Sequence, residues 1–202
     1  MISLEEIGKL HRDCISRWHS EPIDNRYDGF PAVVCEQLSY NFKLWHEEDK
    51  ARSPTATDTE IAQVKRAIDK LNQQRNDWIE KLDDWITEEL GRRGISAAAG
   101  MPQNTETMGS TIDRLSILAL RIYHLEEQRD RTDASPEHRE GVARKLAVAL
   151  AQQEDLSRAA QQLADDLFAG RKKHKTYRQL KMYNDPSLNP YLYKAGAKTS
   201  GA

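Results

Sequence analysis

The segment Asn104-Thr105-Glu106-Thr107-Met108-Gly109-Ser110-Thr111-Ile112-Asp113-Arg114 opens a helical pattern that carries the chain's most suggestive chemistry. Ser110, Arg114, Ile117, Arg121 and His124 recur at intervals of three and four, so on a helix they form one stripe with two guanidiniums two turns apart. Gly109 precedes the stripe, where free N–H groups and the macrodipole of a helix start favour an anion. Arg114 can grip a phosphate or carboxylate bidentately. The pattern suits a ligand with a phosphate or pyrophosphate group. The competing reading pairs Asp113 and Arg114 with acids and bases of neighbouring helices.

Three other stretches bear ionisable groups. In Leu44-Trp45-His46-Glu47-Glu48-Asp49-Lys50-Ala51-Arg52, His46 and Asp49 share one helix face and Glu48 and Arg52 the next. That is either an acid/base or metal-ligating face or a charged helix end with an i,i+4 ion pair. Asp69, Asn72, Asn76, Glu80 and Asp83 form a polar stripe beside an apolar seam on which Arg75 itself falls. A guanidinium there needs a carboxylate from another helix or a polar cavity, unless it reaches out to solvent. The run Arg171 to Lys181 is basic with Tyr177 inside it, and it suits closure over an anion, contact with RNA, or a solvated helix end. His11, His19, His138 and His174 stand alone and are expected as surface or core residues.

These residues need helices to position them. Leu4, Ile7, Leu10, Cys14, Ile15 and Trp18 predict a first helix from Ser3 to about Ser20, with Ser3 and Glu6 as a capping box. Pro22, Gly29 and Pro31 mark a loop. A second helix is expected over about 31–52, ended by Ser53-Pro54. The third, about 58–90, has the cleanest seam: Ile61, Val64, Ile68, Leu71, Arg75, Trp78, Leu82 and Trp85, with Gly91 and Gly94 as terminators. A fourth covers about 110–131, and a fifth about 136–169, with Ser135 as cap and Pro136 at the first helical position. No period-two alternation occurs. The expected fold is all-α: an antiparallel helical bundle with two long helices, the third and fifth, and two or three shorter ones. A single domain over 1–190 and a flexible tail over 191–202 are expected, with Asn184 to Pro190 as an ordered turn anchored by Tyr183 and Leu188.

Composition narrows the function classes. Among 202 residues, 30 Lys and Arg face 32 Asp and Glu, a formal charge of −2, so no global field draws the chain to nucleic acid or acidic lipid. Mean hydropathy is −0.79 and the apolar runs are too short to span a membrane. The N-terminus has neither the basic nor the apolar region of a signal peptide. Cys14 and Cys35 form no CxxC pair and read as reduced thiols. A cytoplasmic location follows as the expectation. No nucleotide-binding, hydrolase or zinc-protease motif occurs, and the Glu-x-x-His pairs of di-metal bundles fail because Lys43 and Arg121 precede His46 and His124 by three.

LWHEEDKAR, KRAIDKLNQQRND, NTETMGSTIDRLSILALRIYH and YRQLKMYNDPSLNP, in that order, resemble a bacterial family catalogued as domain of unknown function 4254. The resemblance runs from about Val34 to Asn189. It implies a setting near sugar-transfer and cell-envelope glycan enzymes rather than a mechanism. Positions shared with the family pattern include His46, Asp49, Arg52, Asp69, Asn72, Arg75, Asn76, Asn104, Glu106, Gly109, Ser110, Asp113, Arg114, Arg121, His124, Tyr177, Lys181, Tyr183, Asn184, Asp185 and Asn189. They are mostly polar and come from every part of the matched region.

Together these readings lead us to expect an enzyme or binding protein for an anionic small molecule such as a sugar phosphate or nucleotide sugar. Arg75, Asn104, Ser110, Arg114, Arg121, His124, Lys181 and Asn184 are the expected ligand-binding residues. His46, Asp49 and Glu106 are the expected acid/base groups, and His46, Asp49, Arg75, Arg114 and Arg121 are expected to converge on one cavity. No metal site is assigned, and the sequence names no cofactor. The alternative is a non-enzymatic helical adaptor that binds another protein; nucleic acid is the least favoured partner and no membrane is expected.

Overall fold

The computed structural model describes residues 2–178, 182 and 185–193. Its five main helices are α1 (Leu4–Trp18), α2 (Gly29–Ala51), α3 (Asp58–Arg92), α4 (Met108–Asp130) and α5 (Pro136–Phe168), and a single helical turn follows at 190–193. The only β-pairing among the described residues is an isolated bridge between Gln103 and Lys173. The fold is an all-α antiparallel bundle.

Side chains close most helix starts. Ser3 Oγ accepts from the Glu6 N–H, Thr57 and Glu60 form a reciprocal capping box, and Ser135 Oγ accepts from the His138 N–H with Pro136 following it. α4 starts two residues earlier than its seam predicts. Thr107 is its cap and exchanges hydrogen bonds with Ser110. At the end of α3 the helix runs through Gly91, and the turn comes at Gly94, whose φ of +65° a side chain would resist.

Short connections dictate the packing. Residues 52–57 and 131–135 fold α2 against α3 and α4 against α5 as two helical hairpins. The two long helices therefore pack chiefly on their shorter neighbours. α3 and α5 flank α4, and α1 lies across α2, α4 and α5. The main core contains Ile15, Leu38, Leu82, Ile86, Met108, Ile112 and Leu120, all essentially inaccessible. Each such side chain contributes about 1.5–3 kcal/mol by leaving water. A smaller cluster, Leu118, Ile122, Leu146 and Ala149, joins α4 to α5 further out. The apolar seam of α3 is not buried throughout. Ile61, in the first turn of the helix, remains 41% exposed.

Cys14 and Cys35, distant in sequence, meet in the core with sulfurs 3.7 Å apart. Their shared contact pushes the Cys14 thiol down to about 7 and the Cys35 thiol up. The basic run is not a free patch. Arg178 pairs with Glu80 and Asp84 of α3, His174 bonds the Asp83 carbonyl, and Arg171 and Lys172 pair with Asp166. In the C-terminal turn, Asp185 Oδ1 accepts from the Ser187 N–H and Asn189 Oδ1 from the Tyr191 N–H. Leu188 is 49% exposed and does not act as the expected anchor. Tyr183, Asn184 and residues 194–202 lie outside the described residues.

His11 gives a pH prediction. The side chain is fully buried in α1, and that burial, with Arg12 adding a smaller push, holds its imidazole down to about 3. Below about 6.5 the unfolded chain takes up a proton at His11 that the folded chain refuses until about 3. Stability from this group is therefore complete above pH 6.5 and declines on acidification at up to about 1.4 kcal/mol per pH unit. Urea midpoints measured from pH 7 to 4 should fall more steeply in wild type than in His11→Leu. Parallel curves would contradict a buried neutral imidazole.

Candidate anion-binding cleft

The site grows from one buried carboxylate. Asp113, on the second turn of α4, has a side chain only 7% exposed. Its Oδ1 accepts from Gln37 Nε2 (2.7 Å) and Asn41 Nδ2 (2.8 Å) of α2 and from Arg75 Nε (2.7 Å) of α3, while Oδ2 accepts from Arg75 Nη2. Asn41 also donates to Ser116 Oγ. Three helices are thus tied to one charge, and the bidentate pairing fixes the plane of the Arg75 guanidinium. Arg75 accordingly both pairs with an acid of another helix and lines a polar cavity.

That cavity is a cleft of about 770 Å³ where α3 and α5 stand on either side of α4. Arg75, Asn76 and Ile79 form one wall, Gln152, Asp155 and Leu156 the other, and Ser110, Asp113, Arg114, Ile117, Leu118 and Arg121 the floor, with Glu106 at the mouth. Arg114 is exposed and its nearest acid is Glu106, at 3.7 Å. Arg121 is exposed and has no ion-pair or hydrogen-bond partner among the described residues. Arg121, unpaired among the described residues, and Arg114, held only by the 3.7 Å contact with Glu106, therefore stand two turns apart over a cleft that already holds an oriented guanidinium.

The start of α4 does not present free N–H groups to a ligand. The Gly109 N–H donates to Asp83 Oδ1 (2.8 Å) and the Ser110 N–H to Thr107 Oγ1 (3.1 Å). Asp83 is buried, and desolvation raises its carboxyl above the ordinary range. Gly109 lets α4 approach this closely, since a Cβ there would lie 2.4 Å from the Ile79 carbonyl oxygen. The anion-attracting end of the helix is occupied by the protein's own carboxylate, so any anion affinity falls to the arginines.

The expected site residues divide among three places. Arg75, Glu106, Ser110, Arg114 and Arg121 come together in the cleft, although Ser110 Oγ is engaged by Glu106 and the cap. Asp49 does not join them. It lines an adjoining hollow of about 360 Å³ with Glu48, Arg52 and Asn72, and Arg75 and Ile117 wall both spaces. His46 and His124 lie elsewhere, in an aromatic cluster with His19, Phe42, Trp45 and Tyr123. The five-residue convergence is therefore split. Residues 46 and 49 differ by roughly 60° around α2, enough for them to face different neighbouring helices. Burial, together with the two nearby imidazoles, pushes His46 below its ordinary value. Asn104 sits in the loop before α4 and is not among the residues lining the cleft. Lys181 and Asn184 lie outside the described residues. Gln37 and Asn41 are the polar groups that helical spacing alone did not single out. Their signal is two amides at i,i+4 on the face of α2 that also carries Val34 and Leu38.

Residues 31–176 match the family described as "Protein of unknown function (DUF4254)", and the chain belongs to that family. No curated protein and no solved structure matches it. No helix among the described residues is long and apolar enough to cross a membrane.

Proposed function

We propose that the protein is a cytoplasmic enzyme or binding protein for an anionic small molecule, a sugar phosphate or nucleotide sugar of cell-envelope glycan metabolism. The observation that carries this reading is the pair Arg114 and Arg121, exposed over one cleft, Arg121 without an ion-pair partner among the described residues and Arg114 with only Glu106 at 3.7 Å, beside the fixed guanidinium of Arg75. A pyrophosphate spans such a pair, with each charge-assisted contact contributing about 1.5–3 kcal/mol. Glu106, at the mouth of the same cleft, is the acid/base group within reach of that ligand; Asp49 borders the adjoining hollow and suits contact with the rest of the molecule. The glycan setting rests on the family resemblance.

The test is thermal stability with phosphate, pyrophosphate and a sugar nucleotide. Wild type should gain about 2.7 kcal/mol at a hundredfold excess over Kd, and Arg114→Ala and Arg121→Ala should each lose most of that gain while melting as wild type without ligand. No gain with any anion, or the same gain in both variants, would contradict the reading. The adaptor reading would then lead, supported by Val148 and Leu150, which α5 leaves 58% and 45% exposed.

A further inference from the structure

We propose that His19, His46 and His124 form a binding site for a divalent transition-metal cation that prefers nitrogen ligands, with zinc as the representative. One ring nitrogen from each lies within 4.8 Å of those of the other two. The residues come from the C-terminal cap of α1, from α2 and from α4. This inference is independent of the anion-binding reading.

Protonation chemistry points the same way as proximity. His19 Nδ1 lies 2.7 Å from the Ile15 carbonyl oxygen, which can only accept, so Nδ1 carries the proton. His124 Nδ1 lies 2.7 Å from a Glu127 carboxylate oxygen, with the same consequence. With the proton on Nδ1, the Nε2 of each ring is the nitrogen that offers its lone pair to a cation. Both Nε2 atoms are buried without a hydrogen-bond partner among the described residues. Such atoms carry a desolvation cost, and two in one cluster are relieved by one shared electron-pair acceptor. Hydrogen bonds from Nδ1 to a carboxylate and to a backbone carbonyl are also the contacts that orient metal-bound histidines.

The rings are held before any cation arrives. His19 stacks on Tyr123 with centroids 4.2 Å apart, His124 stacks on Trp45 at 4.9 Å, and His46 stands edge-on to Phe42 at 4.6 Å. Three neutral imidazoles suit zinc and its neighbours in the first transition row, whereas magnesium and calcium take oxygen ligands. Metal–nitrogen bonds of about 2.0–2.1 Å bring tetrahedral ligands to about 3.4 Å from one another, so the rings close inward by about 1 Å or less. Three protein ligands leave a fourth position for water or a ligand oxygen, as in catalytic rather than structural zinc sites.

The full chain, stripped by chelator and free of tag histidines, is dialysed against Zn²⁺ and the bound metal counted. A parallel sample takes Co²⁺ and is read by visible absorption. The expected result is one zinc per chain in wild type, with affinity lost in His46→Gln and His124→Gln at unchanged circular dichroism. The cobalt spectrum should lack a thiolate charge-transfer band, which separates this site from Cys14 and Cys35. Glu127→Gln, at an exposed position outside the core, should weaken zinc about 10–100-fold and decides the matter if the histidine variants fail to fold. Wild type that binds no stoichiometric zinc, a thiolate band, zinc retained at full affinity in folded histidine variants, or zinc unaffected by Glu127→Gln would overturn the proposal.

Discussion

Replacing Arg75 by Met should destabilise the protein by about 3–5 kcal/mol, a fall in Tm of roughly 6–20 °C for a domain of this size. Methionine keeps much of the side-chain length and apolar stem, so the loss isolates the charge. Asp113 would be left 7% exposed with only the Gln37 and Asn41 amides beside it. Removing one partner of a buried pair costs more than the pair is worth, because the other charge is left without compensation. Adding Asp113→Asn to Arg75→Met should therefore recover part of the loss, since a neutral amide needs no counter-charge. Urea unfolding of the two variants checks both statements. A loss under about 1 kcal/mol for Arg75→Met, or no recovery in the double variant, would mean that the ion pair does not brace the three helices.

Gly109→Ala should cost about 3 kcal/mol although it adds one methyl group. The added Cβ would stand 2.4 Å from the Ile79 carbonyl oxygen and 2.9 Å from the Asp83 carboxyl carbon. The first of these is backbone of α3 and cannot swing aside. α4 must therefore shift outward, and with it goes the hydrogen bond from the Gly109 N–H to Asp83. The shift also moves Ser110 and Arg114, one turn further on, so anion affinity should fall together with stability. Gly8→Ala is a matched control, because its new Cβ meets only the flexible end of Arg12, at 3.6 Å. Equal effects of the two substitutions would contradict the close approach of α3 and α4.

The helices were legible because their signals are local. Ser3 and Ser135-Pro136 are caps that act within three residues, and the seam of α3 repeats every three or four. That Arg75 on an apolar seam calls for an acid, a polar cavity or an escape to solvent was legible too. That Asp113 is the acid was not, because the pairing depends on how α3 and α4 slide past each other. The same physics hid the closing of the α4 N-terminus by Asp83, and the splitting of His46 and Asp49 between two neighbours of α2. The histidine cluster had no linear signature. His19, His46 and His124 lie on three elements without common spacing, and His19 at the end of α1 reads as an ordinary helix terminus until the bundle closes. The ion pairs of the basic run were hidden for a related reason: its partners Glu80, Asp84 and Asp166 belong to helices it meets only in the fold.

The anion-binding account is tested most directly by a crystal structure of the chain grown with saturating pyrophosphate. The account predicts pyrophosphate in the cleft between α3, α4 and α5, with its oxygens within hydrogen-bond distance of the Arg114 and Arg121 guanidiniums and the Arg75–Asp113 pair intact beneath it. A cleft without pyrophosphate at saturating concentration, or pyrophosphate bound only at another surface, would contradict it.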